Sequence, residues 1–156
     1  MIEFIKGNIL ESNCKYICHQ CNCVSKTSAG LASQIFTEFP WADIYKNREN
    51  NSTPGTIIIK GNGLDKRFVI NILGQIYPGK PYPGNKDNKE SRERYFTFCL
   101  KKILKIKDLG SLAFPDHIGC GLAGGDWKKY LFFIKSMDNF LSKNKNEIKI
   151  NIVRFS

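Results

Sequence analysis

Histidine is scarce in this chain, with His19 and His117 the two present in 156 residues. Any imidazole acid or base is therefore one of these two. No apolar run approaches the ~20 residues that a membrane helix needs, so neither a transmembrane helix nor a membrane partner is expected. The opening M-I-E-F-I-K-G has no basic stretch followed by a long apolar core. A secretory signal is thus not expected, and a cytoplasmic location is the default. The cluster Cys14, Cys18, Cys21 and Cys23, with His19 inside it, has no second C-x-x-C or H-x-x-x-H to complete a tetrahedral metal site. The six cysteines are accordingly expected to be thiols, with those of the 16–24 stretch serving as small hydrophobes, and no metal is implied. Neither the Walker G-x-x-x-x-G-K-S/T nor the Rossmann G-x-G-x-x-G occurs at the glycine-rich stretch, so the two familiar nucleotide folds are not indicated.

The composition is that of a globular protein, 42% hydrophobic and 24% charged, and the length suits one domain over residues 1–156. Net charge is +10, from 24 Lys and Arg against 14 Asp and Glu. The excess is spread over lysines such as Lys101, Lys102, Lys105, Lys107, Lys143, Lys145 and Lys149. With no arginine-rich stripe it reads mostly as solvated surface that favours small anionic ligands, with weak nonspecific nucleic-acid contact left open.

The stretch I-G-C-G-L-A-G-G-D-W, residues 118–127, places four glycines in eight residues between a short apolar run and an amphipathic segment. Glycines in a strand-to-helix turn let backbone N–H groups approach an anion unobstructed, and the helix N-terminus adds a positive dipole end. A phosphate cradle is one reading; a tight turn that binds nothing is the other.

Along the chain, residues 2–5 alternate as a first strand, residues 8–10 form a turn, and residues 16–20 form a second strand. A small-residue loop over residues 22–30 opens a helix over 31–39, which Pro40 ends. Residues 41–52 are polar and predict a short helix and a loop. Residues 56–60 and 68–73 read as paired strands around the G-N-G turn at Gly61, Asn62 and Gly63, with Asn71 a polar group in need of a partner. Residues 74–88, with three prolines and three glycines, form an irregular loop, functional or merely solvated. Helical spacing follows over 89–106, with Tyr95, Phe96, Phe98, Cys99, Ile103 and Ile106 on the apolar face. A short strand over 111–114, a helix over 127–141 and a final strand over 148–155 complete the chain. The alternation argues an α/β fold with helices on both faces of a mixed sheet, and ligands of such sheets lie beyond the strands' carboxyl ends. The two small-residue loops then form one site.

These pieces resemble the macrodomain family of ADP-ribose-binding proteins. The resemblance rests on K-G-N-I-L from Lys6, H-Q-C-N-C-V from His19, S-A-G-L-A from Ser28, P-G-T from Pro54, V-I-N-I-L-G-Q from Val69 and F-P-D-H-I-G-C-G-L-A-G-G-D-W from Phe114. The nearest branch includes ADP-ribose 1″-phosphate phosphatases and terminal ADP-ribose glycohydrolases. The resemblance implies a three-layer α/β/α sandwich and an ADP-ribose cleft. It implies that Asn8, where Asp is usual, and Ile9 meet adenine, and that Asn22 meets the distal ribose. Ser28, Ala29, Gly30 and Leu31 match one diphosphate loop, and Ile118, Gly119, Cys120, Gly121, Leu122 and Ala123 match the other. Phe155 is the candidate to stack on adenine.

For catalysis, Gln75 and Ala123 stand where glycohydrolases of that branch carry lysine and aspartate. Lysine-dependent removal of ADP-ribose is therefore not expected, with Lys80 the nearest lysine in sequence. Asp126 resembles the aspartate assigned to catalysis in related phosphatases, and equally suits an N-cap for the following helix. His117, beside the loop, is a candidate proton donor, whereas His19 fits a buried strand position. The resulting expectation is a monomer that binds ADP-ribose, needs no cofactor, and hydrolyses ADP-ribose 1″-phosphate through Asp126, Asn22 and His117. The alternatives are release of ADP-ribose from a modified protein or nucleic acid, or a reader without turnover.

Overall fold

The strand β2 (Tyr16–Asn22) is apolar or buried along nearly its whole length, and this places it inside the sheet rather than at an edge. In the computed structural model, which describes residues 1–62, 64–65, 67–144 and 147–155, it lies fourth of six strands. Gly63 of the expected turn and Lys145 of the lysine series lie outside the described residues. The other strands are β1 (Ile2–Lys6), β3 (Ile57–Gly61), β4 (Phe68–Gln75), β5 (Ser111–Pro115) and β6 (Lys149–Arg154), in the order β1-β6-β5-β2-β4-β3. β3 pairs antiparallel with β4 and every other pairing is parallel, which makes the sheet mixed.

Parallel strands are covered on both faces, and here each face has its own core. Cys18, Ile70, Ile72, Leu112, Phe114, Ile150 and Ile152 meet the helices α2 (Lys89–Ile103) and α3 (Trp127–Lys143). Ile17, Val69, Leu73, Ala113 and Val153 meet Ile35 and Phe36 of the helix α1 (Gly30–Glu38). The expected α/β/α sandwich is thus present, because alternate side chains of β2, β4, β5 and β6 divide between the two helical layers. Each fully buried aliphatic side chain contributes roughly 1.5–3 kcal/mol by leaving water.

Several local expectations change. Residues 41–52 hold no α-helix; a 3₁₀ turn over Pro40–Ala42 replaces it, and a second one spans Ile9–Glu11. Phe98 is not on the buried face of α2 but is 46% exposed. Arg92, a charged residue in the same helix, is fully buried instead. Asn71 has the partners its burial demands: its amide donates to the carbonyls of Ala42 and Ile58 at 3.3 and 3.1 Å, and its Oδ1 meets His19 Nε2 at 2.6 Å. His19 is therefore a core residue, edge-on to Phe36, and its burial lowers its pKa to about 4.

One irregularity shapes the carboxyl end of the sheet. Pairing between β2 and β4 runs evenly to Cys21 and Leu73, then skips Gly74 so that Asn22 sits opposite Gln75. A Cβ at Gly74 would lie 2.5 Å from Gln20 Oε1, so glycine at the bulge leaves room for the Gln20 side chain in its present position.

Candidate functional site

The sheet's parallel strands end in a cleft of about 660 Å³ lined from β2, β4 and β5 and the loops that follow them. Asn22 closes β2. Its Oδ1 accepts from the backbone N–H groups of Val24 and Ser25, at 3.0 and 2.8 Å, which turns the chain sharply out of the sheet. That leaves its Nδ2 without a protein partner among the described residues, on a residue that lines the cleft. Tyr45 and Arg48 brace the same turn from behind. The Asn22 N–H donates to Tyr45 Oη at 2.8 Å, and Arg48 donates to the carbonyls of Asn22 and Ser25 while stacking on the Tyr45 ring. Burial raises the Tyr45 phenol pKa strongly, so the hydroxyl stays protonated and serves as an uncharged anchor.

The first loop delivers α1, and the start of this helix differs from the others. Asn88 caps α2 and Asp126 caps α3 through their side chains, while Ala29 before α1 supplies no side-chain cap and the first turn carries no acid. Among the described residues the N–H groups of Gly30, Leu31 and Ala32 have no protein acceptor. All three residues line the cleft. An uncapped helix start exposes orphan donors together with the positive end of the dipole, an arrangement suited to an anion.

The glycine-rich loop after β5 lines the same cavity. His117 adopts φ 61° and Gly119 φ 74°, folding the loop so that Cys120 N–H donates to His117 O and Gly125 N–H to Gly119 O. Those closures consume some donors and spare others: among the described residues the N–H groups of Gly119, Gly121, Leu122 and Ala123 have no acceptor in the protein. A Cβ on Gly119 would meet Tyr130 Cε2 at 2.7 Å, so this turn requires glycine twice over, by backbone angle and by space. Leu122 stands 81% exposed at the rim.

A third wall comes from residues 76–88, and a buried ion pair holds it. The Asp87 carboxylate accepts from Ile76 and Tyr77 N–H at 2.8 and 2.9 Å and from Arg92 Nη2 at 2.7 Å. The Arg92 Nη1 and Nη2 groups also donate to carbonyls, at 2.6 Å to Gly79, 3.1 Å to Tyr77, 3.3 Å to Lys80 and 3.1 Å to Ala123, while the buried Nε has no protein acceptor among the described residues. One guanidinium therefore ties the third wall to the glycine-rich loop. The irregular loop is a built part of the cleft, in which Pro78 and Gly79 line the cavity.

The structure gathers Asn22, Ala29, Gly30, Leu31, His117, Ile118, Gly119, Cys120, Gly121, Leu122 and Ala123 around this cavity. Asn8, Ile9, Ser28, Lys80, Asp126 and Phe155 are not among its lining residues. Asn8 caps the first 3₁₀ turn, with its Oδ1 accepting from Leu10 N–H at 3.0 Å, and Ile9 is buried in the α1-side core. Asp126 Oδ1 accepts from Lys128 N–H at 3.1 Å as the cap of α3. His117 stacks on Trp127 with ring centroids 4.9 Å apart, and its Nδ1 lies 3.0 Å from Asp116 Oδ2. The Cys120 thiol is pushed up to about 12, first by burial and then by the negative charges of Asp126 and Glu93, so it stays protonated at neutral pH. On the floor, Gln20 Nε2 donates to Gln75 Oε1 at 2.6 Å and Gln75 Nε2 to the Tyr77 carbonyl at 2.8 Å. Among the described residues no group of three or more His, Cys, Asp or Glu is placed to hold a metal ion, and no helix is long and apolar enough to cross a membrane.

The profile of the Macro domain family matches residues 18–131, most of the chain and every wall of the cleft. The chain belongs to the macrodomain family. Solved structures with the same fold include the macrodomain of Mycobacterium tuberculosis DarG, at 19% identity and TM-score 0.76, over 99% of this chain and 97% of that one. The macrodomain of Thermus aquaticus DarG matches at 23% identity and TM-score 0.72, over 97% of both chains. A mutant Oceanobacillus iheyensis macrodomain with ADPR matches at 22% identity and TM-score 0.68, over 99% of this chain and 85% of that one. No curated protein matches this macrodomain significantly. Tyr45, Arg48, Asp87 and Arg92 are the macrodomain's site-shaping residues that sequence reading missed. The Asp87–Arg92 spacing across a helix start after a Pro/Gly loop was the one available signal.

Proposed function

We propose that the cleft binds ADP-ribose. The observation that carries this reading is the pair of unsatisfied donor sets lining one cavity, the uncapped start of α1 and the free N–H groups of Gly119, Gly121, Leu122 and Ala123. Two such sets suit two linked phosphates, and neither brings a side-chain charge that would bar a neutral sugar on either side. Asn22 Nδ2 is the donor for a hydroxyl of the distal ribose. The structurally similar macrodomain of Oceanobacillus iheyensis with ADPR supports the same ligand class.

Turnover of ADP-ribose 1″-phosphate is the second reading, supported by His117. This imidazole lines the cleft with a carboxylate partner, Asp116, at 3.0 Å, the pairing that fixes a tautomer for proton transfer. In this reading Asp126 acts through the start of α3, and the loop donors stabilise charge on the transferring phosphoryl group.

Calorimetry with ADP-ribose, together with phosphate release from ADP-ribose 1″-phosphate, tests both readings. Saturable binding of ADP-ribose and much weaker binding of AMP are expected, because AMP fills one donor set. Phosphate release that falls on His117→Ala or Asp126→Ala supports the second reading. Tight binding with no release from the 1″-phosphate and none from ADP-ribosylated protein or nucleic acid leaves a reader. Absence of ADP-ribose binding overturns the proposal.

A further inference from the structure

A second concavity, of about 390 Å³, lies away from the cleft, between the start of β3 and the outer face of α2. Its lining has one chemical character: Phe98, Lys101 and Lys102 from α2, Lys105 from the turn that follows the helix, and Pro54, Gly55 and Thr56 from the chain entering β3. No carboxylate lines it among the described residues. The three lysines are exposed, and Phe98 keeps 46% of its surface in water although it belongs to a helix with ample buried positions.

Phe98 is not a loose surface aromatic. A Cβ placed on Gly55 would fall 3.1 Å from its Cδ2 and 3.3 Å from its Cβ, so the ring is seated against bare backbone. Gly55 has φ +80°, a conformation that side chains rarely adopt, so the seat is a fixed turn rather than a chance contact. Lys101 Nζ stands 5.9 Å from the ring centroid. A flat apolar face with its orientation set and ammonium groups around it are the two elements that hold a stacked base and its phosphates.

We propose that this α2–β3 groove is a docking site for single-stranded nucleic acid, in which an unpaired base stacks on Phe98 and the adjoining phosphates lie on Lys101, Lys102 and Lys105. Charge selects a polyanion, and the net charge of +10 favours its approach. The seated ring selects among polyanions, since an acidic peptide would use the lysines and leave Phe98 without a role. A duplex has no free base face to offer. The volume, near the roughly 300 Å³ lower end of ligand pockets, suits one nucleotide unit at a time. The proposal does not rest on the reading of the cleft, whose residues it does not share.

The test is fluorescence anisotropy of a labelled oligothymidylate titrated with the protein between about 50 and 200 mM salt. Binding is expected, with Phe98→Ala weakening it by about tenfold at fixed salt. The triple variant Lys101→Gln/Lys102→Gln/Lys105→Gln should lower the slope of log affinity against log salt by about 2, given ~0.7 per phosphate contact on a single strand. None of the four side chains lines the cleft, so ADP-ribose binding by calorimetry is expected to stay unchanged in both variants, which also shows that the fold is kept. A control that neutralises Lys128, Lys135 and Lys143 of α3 should keep the affinity of the parent. No binding at low salt, equal loss in the α3 control, insensitivity to Phe98→Ala, or equal affinity for an oligoglutamate peptide would each overturn the proposal.

Discussion

Replacing Arg92 with methionine is the most informative single perturbation of this macrodomain. Arg92 and Asp87 are buried almost completely, at 2% and 0% side-chain exposure, and lie 2.7 Å apart. Methionine has a comparable stem but no donor, so the change leaves the Asp87 carboxylate buried with two N–H partners and no counter-charge. It also strips the carbonyls of Gly79, Tyr77, Lys80 and Ala123 of a shared donor. Removing one partner of a buried pair costs about 3–5 kcal/mol, a large share of the roughly 5–15 kcal/mol that holds a domain together. At about 2–4 °C per kcal/mol for a chain of this size, the midpoint of thermal unfolding should fall by roughly 6–20 °C. Adding Asp87→Asn removes the stranded charge, so the double variant should be less destabilised than the sum of the two single changes. The cleft should respond as well, because the same guanidinium joins the walls at Gly79 and Ala123. Measured well below the variant's melting point, ADP-ribose affinity should drop by about tenfold as the loops are ordered again on binding. Scanning calorimetry gives the stability and titration calorimetry the affinity. A midpoint shift below about 2 °C, or strict additivity with Asp87→Asn, would refute the assigned role of the pair.

Two further outcomes follow from the geometry. Gly119→Val should cost about 1–3 kcal/mol in backbone strain, with the contact on Tyr130 adding to it, and should abolish ADP-ribose binding by displacing the free N–H groups; an affinity equal to the parent would show that this loop does not hold the ligand. His19, with its pKa lowered from 6.5 to about 4 by burial, takes up its proton in the unfolded chain before the folded one. Stability is therefore lost as pH falls from about 6.5 towards 4, by roughly 3 kcal/mol at ~1.36 kcal/mol per unit, and urea unfolding at pH 7.5 and 4.5 should show this drop in the parent and a smaller one in His19→Gln.

The sheet was legible in the sequence because its strands are short runs rich in β-branched residues, as in residues 56–60 and 68–73. The two cleft-lining loops were legible because small residues cluster between a strand and a helix in each. What escaped reading has a common physical origin. Arg92 carries a charge, and a charged residue in a helix reads as solvated until its counter-ion, on a different element, is seen. Phe98 falls at helical spacing with buried neighbours, and periodicity cannot tell the centre of a helix's apolar face from its margin. Tyr45 and Arg48 lie in a polar stretch without regular structure, so only tertiary contacts reveal that they brace Asn22. Asp126 suited two roles equally in sequence, and its side chain is engaged by the helix it precedes.

The unfinished start of α1 ties occupancy of the cleft to the integrity of the fold. Where Asn88 and Asp126 complete their helices from within the chain, Gly30, Leu31 and Ala32 must find acceptors in solvent or in a guest. An anion seated there would do for α1 what a cap residue does elsewhere, so the guest acts as a removable part of the polypeptide's own architecture. Amide protons of that first turn would then exchange at a rate that reports occupancy, and the resistance of α1 to unfolding would rise and fall with ligand concentration.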